Sequence, residues 1–252
     1  MENKLKIENI SMEFHEKGTV TPVFKNINLG IKNNEFFCVV GPSGCGKTTM
    51  IRIIAGLLEA SSGNILIDGK ISNKADSNKG VVFQADAVFP WKTVLGNVEF
   101  GLKIQGLPKE QRKKIAMQYI ELVGLKGYEN RLPKTLSGGM KKRVDVARTY
   151  AANPEVLLMD EPFGALDAQT KAMMQVDLLD IWQREMKTVF FITHDLDEAL
   201  FLSDRIAFLT ESKPSSIKSL YENPLPRPRT EALKLSDEFQ KERREVWKIF
   251  HE

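Results

Sequence analysis

Apolar residues along much of this chain stand in short continuous runs bounded by polar residues and glycines. Runs of strand length cover residues 36–40, 81–83, 156–159, 189–192 and 206–209. Continuous apolar runs are typical of parallel strands that helices cover on both faces. The pattern therefore predicts an α/β fold with a mostly parallel sheet.

The first part of the chain has a different pattern. Residues 4–29 alternate in short strands with a turn near Gly18, which predicts an N-terminal antiparallel β lobe. Residues 65–67, followed by Asp68 and Gly69, predict a hairpin of the same sheet.

Between residues 88 and 152 the apolar spacing becomes helical, with one helix opening at Pro108 and stopping before Gly124. We expect one domain over residues 1–230 that includes this helical lobe at about 88–152.

The last segment, residues 231–252, predicts a terminal helix over 232–250 that packs on the same domain. The side chains expected to pack are Leu235, Phe239, Val246, Trp247 and Phe250.

Composition narrows the class of protein. The 252 residues are 42% apolar with a net charge of +3, which is ordinary for a globular chain. Such a small net charge does not indicate a nucleic-acid-binding protein. No run approaches the ~18 apolar residues of a membrane span, and the first residues lack an apolar signal core. Two cysteines, Cys38 and Cys45, lie on a buried run and in a glycine-rich loop, which favours a reducing cytosol.

The glycine-rich loop carries the strongest motif. It fits G-x-x-x-x-G-K-[ST] and lies between a predicted strand and a predicted helix, which is the context that this motif requires. Its backbone amides and the helix start can bind phosphate oxygens, Lys47 adds positive charge, and Thr48 offers a hydroxyl to Mg²⁺. The residues of the motif are Gly41, Pro42, Ser43, Gly44, Cys45, Gly46, Lys47, Thr48 and Thr49.

A second helix start lies far along the chain at Leu136-Ser137-Gly138-Gly139-Met140. Taken alone, these residues indicate a capped helix over 140–152. Beside a phosphate loop they indicate a second anion-binding helix start.

These two segments together resemble the Walker A and signature motifs of ABC transporter ATP-binding subunits, and the resemblance covers nearly the whole chain. It implies a P-loop NTPase core of the ABC ATPase type that binds ATP and Mg²⁺ and hydrolyses ATP. The run 156–159 with Asp160 and Glu161 resembles the Walker B strand. Asp160 would hold Mg²⁺ together with Thr48, and Glu161 would polarise the attacking water.

Other positions resemble further motifs of the family. Gln84 resembles the Q-loop residue, near Mg²⁺ or the water, and His194 resembles the switch histidine at the γ-phosphate. Asp167 belongs to a D-loop-like segment, and Phe14 stands where an aromatic ring stacks on adenine. A post-strand turn would also explain Gln84, and a structural histidine would explain His194.

The resemblance implies a head-to-tail pair of identical chains, with ATP held between one phosphate loop and the partner's Ser137, Gly138 and Gly139. It also implies two integral-membrane permease subunits, contacted through the loop at Phe89-Pro90-Trp91, and an external substrate-binding protein. Such a subunit lies on the cytoplasmic face of the membrane.

The segments 89–94, 162–170 and 225–229 are most similar to nitrate, sulfonate and taurine importer subunits. Because these segments do not touch the solute, sulfonate, taurine, nitrate and a pyrimidine vitamin precursor stay open. A soluble ABC ATPase acting on nucleic acid or ribosomes is the alternative, and an ordinary P-loop kinase would leave Ser137 and His194 without roles.

Asp145 departs from the small apolar residue that is usual at this position of the signature helix in the family. Lys142 and Arg148, three residues to either side, could neutralise it.

Overall fold

The structure is a computed structural model that describes residues 3–16, 18–85 and 87–252. The chain divides into two compact units. The first contains residues up to 76, then 158–160 and 186–252, and the second contains residues 77–157 and 161–185. The second unit includes more residues than the helical lobe expected at about 88–152.

Ten strands occur in the described residues. They are β1 (Asn3–Glu16), β2 (Thr19–Lys32), β3 (Phe36–Val40), β4 (Ser62–Ile67), β5 (Lys70–Ile71), β6 (Lys79–Val82), β7 (Val156–Asp160), β8 (Thr188–Thr193), β9 (Arg205–Leu209) and β10 (Ile217–Glu222).

A four-stranded antiparallel sheet in the first unit has the order β2-β1-β4-β5. Ile67 pairs with Lys70 across the β4–β5 turn, so the predicted hairpin is confirmed. Asp68 and Gly69 at this turn both have positive φ, a conformation that glycine adopts readily and aspartate tolerates.

The second sheet has the strand order β10-β9-β3-β8-β7-β6. Strand β3 lies parallel to both β8 and β9, and β10 runs antiparallel to β9. Every residue of β3, β7 and β8 is buried. Burial on both faces explains why each of these strands contains a continuous apolar run.

Seven α-helices accompany the sheets in the described residues. They are α1 (Lys47–Ile54), α2 (Val94–Ile104), α3 (Lys109–Leu122), α4 (Gly138–Ala151), α5 (Ala168–Glu185), α6 (Leu196–Leu202) and α7 (Asp237–His251).

Side-chain caps fix several helix starts. Thr93 accepts a hydrogen bond from the Gly96 amide at the start of α2. Asp195 accepts from the amides of Asp197 and Glu198 at the start of α6. Such caps satisfy backbone donors that have no partner within the helix, so each cap defines where its helix begins.

The terminal helix was predicted too long at its start. Residues Glu231–Leu235 form a 3₁₀ turn, and α7 begins only after Ser236, which is extended and accepts the Phe239 amide. Leu235 is 87% exposed and Trp247 is 57% exposed, so the prediction that these two pack was wrong. Phe239 and Val246, seven residues apart on one face of α7, are buried, and α7 packs against α6.

Strand β10 had no counterpart among the predicted strands. Its burial alternates between half-buried and exposed residues, so it lacks the continuous apolar run of the central strands. Among the described residues, no helix is both long and apolar enough to cross a membrane.

Candidate functional site

The predicted phosphate loop connects β3 to α1 in the first unit. Gly44 and Gly46 have φ of +79° and +96°, which L side chains rarely adopt. A Cβ on Gly46 would also lie 2.6 Å from Val23 Cγ1 and 2.8 Å from Phe24 Cδ1. Both the backbone conformation and the close contact with β2 therefore require glycine at position 46.

Lys47 is folded over this loop. Its Nζ donates to the carbonyl oxygens of Gly41 at 2.8 Å and Pro42 at 3.0 Å, and the residue is only 6% exposed. The ammonium group is thus held beside the loop amides, where phosphate oxygens would bind.

Ser215 supports the loop, and the sequence gives no motif that indicates it. Its hydroxyl lies 2.6 Å from the Cys45 carbonyl oxygen and 3.1 Å from that of Val23, and the residue is fully buried. Its backbone amide also donates to Val23 O at 2.9 Å. Ser215 thereby ties the phosphate loop to β2.

Strand register places His194 beside the loop, and a hydrogen bond joins Asp160 to it. Val40 of β3 pairs with Thr193 of β8, so Gly41 and His194 leave the same edge of the sheet. The Thr48 hydroxyl donates to Asp160 Oδ1 at 3.1 Å, at the end of β7. Asp160 is 4% exposed, whereas His194 is exposed.

Phe14 lies on β1 of the same unit, opposite Thr21 of β2. It is 42% exposed, so part of its surface is accessible to a ligand. Thr21 stands two residues before Val23, whose side chain approaches Gly46.

The second unit gathers Gln84 and Glu161. A Cβ built on Gly164 would lie 3.5 Å from Gln84 Nε2 and 3.8 Å from Glu161 Oε2, so both side chains border Gly164. Glu161 has φ of +42°, which is uncommon for a residue with a side chain. Non-glycine residues in this region cluster at functional sites, where surrounding contacts hold the strained backbone.

The signature segment opens α4 in this unit. Ser137 accepts the Met140 amide at 3.3 Å, and Ser137 and Gly138 are exposed. A Cβ on Gly139 would lie 2.6 Å from Thr170 Cγ2 of α5. Gly139 therefore permits the close approach of α4 and α5. The exposed Ser137 and Gly138 stand at a helix start, where the first backbone amides have no partner within the helix.

Asp167 lies just before α5 and is exposed. Its Oδ1 accepts the Thr170 amide at 3.0 Å, as an N-terminal helix cap does. Hydrogen bonds from the Thr170 amide and hydroxyl lower the pKa of the Asp167 carboxyl, which keeps it ionised.

Neither cysteine forms a disulfide. Both are buried, and burial raises the pKa of the Cys38 thiol well above its ordinary value. A protonated thiol is a poor nucleophile and metal ligand. Within the described residues, no three or more His, Cys, Asp or Glu side chains form a cluster able to hold a metal ion.

Comparison with known proteins decides the family. The sequence profile of the ABC transporter family matches residues 24–164, more than half of the chain. The chain belongs to this family. The family and the fold predicted from the motifs are thereby confirmed, and this ABC ATPase binds and hydrolyses ATP.

Three curated relatives of this ABC ATPase carry transport names. The nitrate import ATP-binding protein NrtD of Synechocystis is 47% identical over 85% of this chain and 80% of its own length. The taurine import ATP-binding protein TauB of Pseudomonas putida is 46% identical over 87% of this chain and 83% of the relative. The aliphatic sulfonates import ATP-binding protein SsuB of Bacillus cereus is 41% identical over 97% and 94%.

Two solved structures of one bacterial ABC transporter cassette, MJ0796, are also similar, each with a TM-score of 0.77 over 88% of this chain and 100% of that one. The first is described as dimeric and is 32% identical. The second is described as a dimeric post-hydrolysis state bound to ADP and Pi, and it is 31% identical.

Proposed function

We propose that two copies of this chain hydrolyse ATP between them and thereby power an importer of the nitrate, sulfonate and taurine type. The observation that carries the proposal is the convergence of Lys47, Thr48, Asp160 and His194 at one edge of the sheet in the first unit. Ligands of open α/β sheets bind outside the carboxyl ends of the strands.

The triphosphate would lie in the loop of residues 41–49, with Lys47 at the β- and γ-phosphates and Phe14 stacked on the adenine. Thr48 Oγ1 and Asp160 Oδ1, 3.1 Å apart, form a pair of oxygen donors that suits Mg²⁺. Thr48, Asp160 and Gln84 would hold this ion, which neutralises phosphate charge when bound.

In the hydrolytic step a water oxygen bonds to the γ-phosphorus while the bond from that phosphorus to the bridging oxygen of ADP breaks. Glu161 would orient this water and accept its proton, and His194 would contact the γ-phosphate. Gln84 borders Gly164 together with Glu161, so it can help to place the same water.

Ser137, Gly138 and Gly139 would bind the γ-phosphate of ATP held by the second copy, arranged head to tail. Ser137 and Gly138 are exposed, as such a contact requires. Asp167 would lie at the interface between the two copies. Donors from two chains then surround the phosphate only when the pair closes.

A groove of the second unit supports the coupling to a membrane partner. It measures about 470 Å³ and is lined by Phe83, Phe89, Phe100, Ile104 and Arg148 among others. The ring centres of Phe89 and Phe100 lie 4.5 Å apart. Trp91, on the same loop as Phe89, is 73% exposed. Exposed apolar surface of this kind marks protein interaction sites.

The proposed occupant is an apolar segment of an integral-membrane permease subunit. Two such subunits would form the transport pathway through the membrane, and an external binding protein would deliver the solute. This chain would lie on the cytoplasmic face of the membrane. The alternative, an ATPase acting on nucleic acid or ribosomes, is not supported by the relatives, whose names are those of import proteins.

Mixing two inactive variants tests the composite site. Ser137→Arg should bind ATP without hydrolysis, and Lys47→Ala should bind ATP too weakly to hydrolyse it. In a mixed pair, the intact phosphate loop of one chain faces the intact signature helix of the other. If the copies exchange randomly, half of the pairs are mixed with one working site each, so about a quarter of the wild-type rate should return.

If mixing restored no ATP hydrolysis, although labelled copies were shown to exchange and the pairs had the size of a dimer, the head-to-tail arrangement would be contradicted. Normal hydrolysis by Ser137→Arg alone would contradict it as well. Recovery of permease subunits with the tagged chain from solubilised membranes tests the partner separately, and recovery of ribosomes or nucleic acid in their place would reject transport.

A further inference from the structure

Asp145 is an almost fully buried carboxylate on α4, with 1% of its surface exposed. One oxygen, Oδ1, accepts Arg148 Nη2 at 2.5 Å, and the other, Oδ2, lies 3.9 Å from Lys142 Nζ. The spacing of three residues on each side places both cations next to it on one face of the helix. The hydrolytic step described above does not use Asp145.

Both cations continue to the main chain of one loop. Lys142 Nζ donates to Phe83 O at 2.8 Å and Gln84 O at 3.2 Å. Arg148 Nη1 donates to Ala87 O at 2.6 Å, and its guanidinium lies 5.4 Å from the centre of the Phe89 ring. These contacts bind α4 to the segment between β6 and α2, of which Asp86 lies outside the described residues.

The charges explain why a carboxylate stands between the two cations. Lys142 is 3% exposed, and the Arg148 side chain is 15% exposed, so water screens neither charge well. Carbonyl oxygens accept their hydrogen bonds but carry no net charge. Without Asp145 two positive groups would be buried beside the same helix turn, and buried charges that lose their partner are costly.

The far end of the loop is also fixed. Asn97 of α2 accepts the Phe89 amide at 2.7 Å and donates to Phe89 O at 3.2 Å, and it is fully buried. The loop is therefore attached to α4 through two charged side chains, and to α2 through the Asn97 amide group and the packing of Phe89 on Phe100. Only the attachment to α4 depends on a balance of charge.

We propose that Asp145 is a positioning residue that holds Lys142 and Arg148 against the loop carrying Gln84 and Phe89. The signature helix and this loop then move as one body. This inference rests on the proposed function, in which Ser137 at the start of α4 binds the partner's ATP and the loop contacts the permease. A shift of α4 on ATP binding would be passed directly to the membrane-facing loop.

Hydrogen exchange of the loop amides tests the inference without relying on ATP hydrolysis. Asp145→Asn keeps the shape of the side chain and removes its charge. Amides in residues 83–92 should exchange about 10-fold faster, in the range of known coupling energies, while those of α3 stay unchanged. For ATP hydrolysis kcat should fall by a similar factor with KM within about twofold, because the phosphate loop is untouched.

A compensating variant separates this role from a general need for a polar core. Lys142→Gln with Asp145→Ala removes one charge of each sign and leaves an amide that can donate to the same carbonyls. Loop protection should return to within about threefold of wild type. Asp180→Asn, which removes an exposed carboxylate of α5 in the same unit, is the matched control and should change nothing.

Unchanged loop exchange in Asp145→Asn would overturn the inference, as would loop exchange in the double variant as fast as in Asp145→Asn. If Asp145→Asn does not fold, the double variant decides alone: restored protection supports the inference, and a folded double variant with an unprotected loop rejects it. Failure of the mixing experiment would reject the composite site and leave the exchange result standing.

Discussion

The two units of this chain hold their functional groups in place by different means. In the first unit, strand register and glycine conformation place the phosphate loop, and Lys47 bonds to carbonyls of that same loop. In the second unit, long charged side chains of α4 reach across to the loop after β6. A single side-chain substitution leaves the backbone pairing of the first unit in place. In the second unit, one substitution is enough to change the balance of buried charge.

The largest expected effect is that of Glu161→Gln, which removes a functional group of the second unit and leaves the phosphate loop of the first unit intact. Glu161 directly follows the last residue of β7. Loss of a general base typically lowers the rate by ~10²–10⁴. We expect ATP hydrolysis to fall by about this factor, with ATP affinity unchanged because Lys47 and Thr48 remain. Single-turnover hydrolysis and equilibrium ATP binding measure the two effects. An affinity loss equal to the rate loss would contradict the role of Glu161.

Lys47→Ala should have the opposite signature. Removing a charged donor from the phosphates should weaken ATP binding by about 100-fold, and hydrolysis should disappear as a consequence. Lys25→Ala is the matched control, because Lys25 is an exposed lysine of the first unit on β2. Calorimetric titration with ATP distinguishes them. Retained affinity in Lys47→Ala would place the triphosphate elsewhere.

The close approach of α4 and α5 predicts a difference between two neighbouring glycines. A Cβ on Gly139 would lie 2.6 Å from Thr170 Cγ2, whereas one on Gly138 would lie 3.9 Å from the nearest atom, in Leu166. Overpacking costs about 1–3 kcal/mol, and threonine has few rotamers with which to avoid the contact. Gly139→Ala should therefore be less stable than Gly138→Ala by about that amount in urea unfolding. Equal stabilities would show that α5 can move away.

The sequence was sufficient to predict features that depend on local pattern. Strand β3 has the predicted bounds, 36–40, because an entirely buried strand leaves an uninterrupted apolar run. The approach of Thr48 to Asp160 follows from a general rule, since parallel strands end at one edge. The predicted roles of these residues stay predictions until the variants are measured.

Other features depend on partners distant in the chain. Ser215 bonds to the Cys45 carbonyl across 170 positions, and no local pattern identifies a serine that will do so. The start of α7 was misplaced because apolar residues at helical spacing continue through Leu235, while the cap at Ser236 takes effect only through its bond to the Phe239 amide. The contacts of Lys142 with the loop are likewise visible only in three dimensions.

The smallest expected effect concerns Phe14, on the sheet that flanks the phosphate loop. Stacking between aromatic groups contributes about 0.5–1.5 kcal/mol, so Phe14→Ala should weaken ATP binding roughly 2- to 12-fold. Phe14→Tyr keeps the ring and should bind like wild type. Inorganic tripolyphosphate has no base, so Phe14→Ala should leave its affinity unchanged, whereas Lys47→Ala should weaken both ligands. If Phe14→Ala weakened tripolyphosphate as much as ATP, Phe14 would act on the loop and not on the adenine.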